Sequence, residues 1–169
     1  MKDSNDFASY LTDDEIAKVA PMIERLNALD SRNDKQSSFM NFVKHVWPQF
    51  IEGKHHKIYA QKLQDVADGK CKRLIINMPP RHTKSEFASY LFPTWLMGRD
   101  PTKKIIQATH TAELAVGFGR KIKNLIESED FKDVFPDVSL AVDAKASGRW
   151  STNAGGEYYA VGVGGALAG

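Results

Sequence analysis

Apolar residues in the first seventy positions recur at three- and four-residue intervals, which is the spacing of amphipathic α-helices. The first run follows Thr12 and contains Pro21, which predicts a kink or a division into two helices. The polar stretch Ser31–Ser37 is expected to be a linker. A second helix is predicted from Phe39, and a third over His55–Asp68. This part of the chain is therefore predicted to be helical.

The pattern changes after residue 72. Arg73–Met78 and Lys104–Ala108 are short apolar runs that predict buried strands. The first is followed by an amphipathic helical run over Ser85–Trp95, and the second by one from Thr111 to about Ile126. The order strand–helix–strand–helix predicts right-handed crossovers and a parallel sheet. Residues 128–147 are expected to be loop with one short element at most.

Gly148–Asn153 and Glu157–Val161 are predicted to be two further strands. The residues between them, Ala154-Gly155-Gly156, indicate a hairpin turn. The predicted fold class is α/β. A helical N-terminal region over residues 1–36 is expected to precede an α/β core over residues 37–169.

The amino-acid composition excludes few classes of protein. A hydrophobic content of 42% and a charged content of 26% are ordinary globular values, and a net charge of +2 is no evidence for nucleic acid binding. The stretch Lys54–Lys84 is locally basic and could face phosphates, with a solvated surface as the alternative. The single cysteine, Cys71, excludes an internal disulfide and a Cys-rich zinc site. No signal peptide and no apolar run long enough for a bilayer are visible, which favours a cytosolic setting without a membrane partner.

The strongest candidate chemistry lies where the first predicted strand enters a short loop and Lys84-Ser85 opens a helix. In a phosphate-binding loop, backbone amides and the helix dipole face the anion, a Lys binds the phosphates, and a hydroxyl ligates Mg²⁺. The standard spacing G-x-x-x-x-G-K-[ST] has lost both glycines here, to Met78 and Thr83.

Other residues of the loop compensate for that loss. Pro79-Pro80 pre-forms a turn through its fixed φ angles, and Arg81 adds a permanent bidentate cation suited to a γ-phosphate. An ordinary strand-to-helix turn with a Ser cap is the alternative. The residues predicted to contact the ATP phosphates are Pro80, Arg81, His82, Thr83, Lys84, Ser85 and Glu86, with Arg81 and Lys84 catalytic and Ser85 on the Mg²⁺.

The sequence Leu-Ile-Ile-Asn-Met-Pro-Pro-Arg-His-Thr-Lys-Ser-Glu at 74–86 resembles the deviant Walker A motif of the large terminase subunit of tailed bacteriophages. Members commonly have Gly where this chain has Thr83. The resemblance extends from about residue 40 to the C-terminus. Its flanking segments are Phe50–Gly69, Ala108–Ala115, Phe131–Pro136, Gly148–Thr152, Gly155-Gly156 and Gly162–Gly169.

This resemblance implies a P-loop NTPase of the additional-strand type with a partly completed parallel sheet. It implies an ATP-driven motor that packages double-stranded DNA into proheads, with a nuclease in the full protein. Lys84 and Ser85 would bind ATP and Mg²⁺, and Arg81 would serve hydrolysis or nucleotide sensing. The implied partners are double-stranded DNA, the small terminase subunit, the portal protein and further copies in a ring, in the cytoplasm of an infected bacterial host.

The Walker B carboxylates of this family are expected just beyond Gly169, and Asp143 does not replace them because Ala-Lys follows it. The chain is therefore expected to be the front portion of a larger protein that binds nucleotide weakly when alone and hydrolyses it poorly or not at all.

Two further groups follow from the resemblance to terminases and related translocases. His56, Tyr59 and Gln61 are candidates to contact adenine, with a solvated helix start as the alternative for the histidines. The loop Thr109-His110-Thr111 is a candidate DNA contact, with a helix cap as the alternative for Thr111.

Two other functions remain open. A helicase-like DNA translocase shares the loop after the second strand but usually keeps Gly before Lys. A degenerate P-loop scaffold would not hydrolyse ATP. An apolar run ending in two acidic residues and then a nuclease, in the gene beyond Gly169, would distinguish the terminase.

Overall fold

The computed structural model describes residues 12–142 and 146–164, and the chain divides into two units, residues 1–34 and 35–169. Helix α1, Asp13–Ser37, crosses that boundary. Pro21 does not divide this helix, and the predicted linker Ser31–Ser37 is helical. Proline removes only one helix hydrogen bond, and the polar residues that follow include no proline or glycine that would end the helix.

Helices α2, Phe39–Val46, and α3, Lys54–Ala67, confirm the next two predicted helices. The Ser38 hydroxyl begins α2 by accepting the Asn41 N–H at 3.3 Å. Each helix buries one face at helical spacing. The buried residues are Phe39, Phe42 and Val43 in α2, and His56, Tyr59, Ala60 and Leu63 in α3.

The next helical region runs without a break from residue 84 to residue 99. It consists of α4, Lys84–Glu86, a π-helical segment, Phe87–Leu91, and α5, Phe92–Arg99. The predicted helix is confirmed, and it extends one turn further than Trp95. The indole of Trp95 is fully buried and its N–H donates to the Lys35 carbonyl at 3.2 Å. The π-helical segment has no counterpart in the sequence pattern.

The predicted strand Arg73–Met78 is not a strand. Its side chains keep the two-residue alternation of one, since Leu74, Ile76 and Met78 are half-buried and Ile75 is 87% exposed. A strand also requires a hydrogen-bonded neighbour, and none pairs with this segment in the described part of the chain. The segment is therefore extended but unpaired.

The structure is mixed α/β, with a three-stranded mixed sheet in the order β1-β3-β2. The strands are β1, Lys104–Thr109, β2, Arg149–Ser151, and β3, Glu157–Gly162. β3 pairs with β1 in parallel and with β2 in antiparallel orientation. The hairpin prediction is confirmed. The predicted parallel sheet is confirmed only for the pairing of β1 with β3, because Arg73–Met78 does not join it. Ile106 in β1 is 63% exposed, so this strand is not fully buried either.

Helix α6, Ala112–Ile126, packs on the sheet. A Cβ at Gly119 would lie 2.8 Å from a ring carbon of Tyr158, so glycine permits this close approach between α6 and β3. Helix α7, Glu129–Val134, is the one short element expected between residues 128 and 147. One hydrophobic core joins α2, α3, the long helical region and the sheet.

Within residues 12–142 and 146–164, no helix combines the length and apolar character needed to cross a bilayer. Asp143 and residues 165–169 of the glycine-rich stretch lie outside the described residues.

Candidate functional site

The loop between Met78 and Lys84 has a backbone that ordinary residues rarely adopt. Arg81 and Thr83 have φ angles of 62° and 58°, in the left-handed region. For a β-branched residue such as threonine this conformation is an outlier, and it costs about 1–2 kcal/mol relative to a right-handed one. Thr83 thus holds the conformation that glycine would adopt freely.

The Lys84 side chain folds back across this loop. Its ammonium donates to the Met78 carbonyl at 3.5 Å, a long hydrogen bond that spans six residues. Arg81, Lys84 and Ser85 are exposed around the same turn. Two cationic side chains and a hydroxyl therefore lie within five residues of one another where the loop meets the first turn of the long helical region. The backbone amides of that first turn add positive potential.

Glu86 directly follows Ser85 and forms an ion pair with Lys121 of α6, with their charged atoms 2.9 Å apart. It lines a cavity of 450 Å³ together with Thr111. The structure thus brings one predicted phosphate-site residue and one predicted DNA-contact residue to the same cavity. Thr111 also caps α6, because its hydroxyl accepts the Leu114 N–H at 3.3 Å, and His110 beside it is exposed.

His56 connects α3 to the loop. Its Nε2 lies 2.9 Å from the Thr83 hydroxyl, and the Gly53 N–H donates to its Nδ1 at 2.9 Å. Because the Thr83 hydroxyl donates to the His82 carbonyl at 2.7 Å, it accepts from His56. Both contacts require the same neutral tautomer, with the proton on Nε2.

The surroundings of His56 favour that neutral form. The side chain is only 7% exposed, and burial is the main cause that lowers its pKa below the ordinary 6.5. The neighbouring His55 and the loop residue His82 lower it further, while Glu52 opposes them. The lowered pKa therefore agrees with the neutral form that the hydrogen bonds require.

Tyr59 makes a second connection from α3. Its hydroxyl donates to the Lys84 carbonyl at 2.8 Å, and a backbone hydrogen bond from Ala88 also reaches it. In an uninterrupted α-helix the Ala88 N–H would donate directly to the Lys84 carbonyl. The hydroxyl takes the place of that bond at the point where the π-helical segment begins. Burial raises the pKa of Tyr59 to about 12, so its hydroxyl stays protonated.

Replacing Tyr59 with phenylalanine is expected to lower the free energy of unfolding by about 1 kcal/mol, because a buried hydroxyl-to-carbonyl bond is lost. Urea unfolding measures the change. The control is Tyr90→Phe, which removes the hydroxyl of a half-buried tyrosine in the same helical region and is expected to cost less than about 0.5 kcal/mol. Equal effects of the two substitutions would show that the Tyr59 hydroxyl does not support the loop.

The predicted adenine contacts do not lie together. His56 and Tyr59 are buried and bonded to the loop, whereas Gln61 is exposed, donates to Asp65 at 3.2 Å and lines a separate cavity of 460 Å³. A contact to adenine stays a prediction for all three. Among the described residues, no group of three or more His, Cys, Asp or Glu side chains is arranged to hold a metal ion.

Comparison with known proteins identifies no relative: no family model, no curated protein and no solved structure matches this chain.

Proposed function

We propose that residues 73–99 form the phosphate-binding loop and first helix of a P-loop ATPase, and that the chain is the ATP-binding part of a terminase-like DNA-packaging motor. One observation supports this most: Lys84 reaches back to the first residue of its own loop while Thr83, immediately before it, is left-handed. Phosphate binding needs both a compact loop backbone and a cation at the opening of the loop.

The residues present suit ATP and Mg²⁺. Lys84 would bind the terminal phosphates, Arg81 would add a second cation, and the exposed Ser85 hydroxyl would ligate the metal ion. Bound Mg²⁺ would neutralise phosphate charge. Glu86 does not oppose the anion strongly, since Lys121 pairs with it.

The motor function rests on the sequence resemblance to large terminases. Double-stranded DNA, the small terminase subunit, the portal protein and a ring of copies are the partners that this function requires. The residues proposed to face DNA are Thr109, His110 and Thr111. Thr109 ends β1, and Thr111 lines the same cavity as Glu86.

The proposal is tested by thermal unfolding with added ligand. A ligand that binds only the folded state stabilises it by about 2.7 kcal/mol at a hundredfold excess over Kd. ATP with Mg²⁺ and inorganic triphosphate with Mg²⁺ are expected to raise the Tm, and AMP much less, because the loop recognises the β- and γ-phosphates. An equal shift with AMP, or no shift with millimolar ATP, would contradict a phosphate-binding loop.

A further inference from the structure

We propose that His56 is a positioning residue that allows threonine to stand where a phosphate-binding loop normally needs glycine. By donating to the Thr83 hydroxyl, it holds the left-handed backbone that presents Lys84. The inference rests on the proposed function for the ligand, but the hydrogen bonds themselves belong to the protein alone.

The Thr83 hydroxyl is both a hydrogen-bond donor and a hydrogen-bond acceptor. It donates to the His82 carbonyl at 2.7 Å and accepts from His56 Nε2 at 2.9 Å. Both contacts need a side-chain oxygen, which glycine lacks. The hydroxyl therefore supplies the interactions that offset a backbone conformation which threonine rarely adopts.

His56 is itself firmly placed. The Gly53 N–H holds its Nδ1, and its ring packs against those of Phe50 and Phe87, with centroids 4.8 Å and 5.5 Å away. A side chain fixed by helix α3, by a backbone donor and by two aromatic rings can fix the position of the residue to which it donates.

The residue after Thr83 is fixed from the same helix. Tyr59 holds the Lys84 carbonyl, so the helical region has a set position at its first residue. Thr83 therefore connects Lys84, whose carbonyl accepts from Tyr59, to the rest of the loop. A change in its backbone angles would move Arg81 and His82 relative to the Lys84 amine, and phosphate binding depends on that relative position.

The test is a double-mutant cycle of His56→Ala and Thr83→Gly in the full chain, read by urea midpoint without nucleotide and by ATP–Mg²⁺ affinity. In the original background, His56→Ala is expected to lower the midpoint and to weaken ATP binding about tenfold. In the Thr83→Gly background the same change is expected to cost less than about twofold in affinity, because glycine needs no support.

His56→Gln is a second variant that distinguishes the positioning role from a general loss of stability, since glutamine keeps the bulk of the side chain and an N–H donor. It is expected to retain more ATP affinity than His56→Ala when Thr83 is present, and to show no such advantage when glycine replaces Thr83. Equal effects of His56→Ala in both backgrounds would overturn the proposal. Coupling in the urea midpoints without ATP binding by any variant would support the positioning role and reject the proposed function instead.

The coupling is also expected to depend on pH. Protonation of His56 would remove the acceptor for the Gly53 N–H. Since the folded pKa is lowered from 6.5, the contribution of His56 to stability is complete above pH 6.5 and falls as the pH drops below it. Glu52, His55 and His82 also face this ring and titrate nearby, so the coupling is compared with that of His56→Gln at each pH. A coupling that does not change between about pH 8 and about pH 5 would show that the Gly53 N–H does not hold the His56 ring in place.

Discussion

Replacing Lys84 with alanine is expected to weaken ATP–Mg²⁺ binding about a hundredfold, or about 2.8 kcal/mol. The Lys84 ammonium belongs to the first residue of the helical region, whereas Arg81 lies three residues earlier in the loop. A charge-assisted contact to phosphate contributes about 1.5–3 kcal/mol, and alanine leaves nothing in its place. Titration of the full chain with a fluorescent ATP analogue measures the loss.

The same substitution is expected to leave stability nearly unchanged, because Lys84 is exposed and its single side-chain bond to Met78 is long. Lys72→Ala is the matched control. It removes an exposed lysine from the same basic stretch but outside the loop, and is expected to change affinity less than about twofold. Comparable losses from both variants would indicate general electrostatic attraction, and an unchanged affinity in Lys84→Ala would reject the loop.

Local periodicity was enough to predict most helices of this chain. The faces of α2 and α3 repeat every three or four residues, and a helix satisfies its own backbone bonds. Strands depend on partners. Arg73–Met78 has the apolar composition of a strand, yet within residues 12–142 and 146–164 no neighbour pairs with it, so composition alone was misleading. The division of α1 at Pro21 was also wrong, because a single missing hydrogen bond did not end the helix, whereas a kink there stays a prediction.

The candidate site was predictable in its residue types but not in its contacts. Lys84 and Ser85 follow from the order of elements around the loop. His56 and Tyr59 were predicted from the sequence to contact adenine. The structure shows them hydrogen-bonded to Thr83 and Lys84, respectively. Their spacing of three places both on one face of α3, which is the signal that could have indicated a shared partner. The identity of that partner, more than twenty residues away, depends on the tertiary fold.

Replacing Phe87 with alanine is expected to destabilise the fold by about 3–5 kcal/mol, the usual cost of deleting a buried aromatic ring. Phe87 is fully buried, and its ring lies 5.4–5.6 Å from those of Phe39, Phe50, His56 and Tyr59. It therefore joins the π-helical segment to α2, to α3 and to the connection between them. Urea unfolding measures the loss of stability.

Because two of those four rings also hold the loop, the cavity left by Phe87→Ala is expected to weaken ATP binding in the molecules that remain folded. Phe118→Ala is the control, since Phe118 is half-buried on α6 and lines the 450 Å³ cavity. It is expected to cost less than about 2 kcal/mol. If Phe87→Ala lowered stability without changing the affinity of the folded fraction, then α3 would hold the loop through hydrogen bonds alone. If both quantities fell together, the packing of Phe87 would be part of the support on which His56 and Tyr59 act.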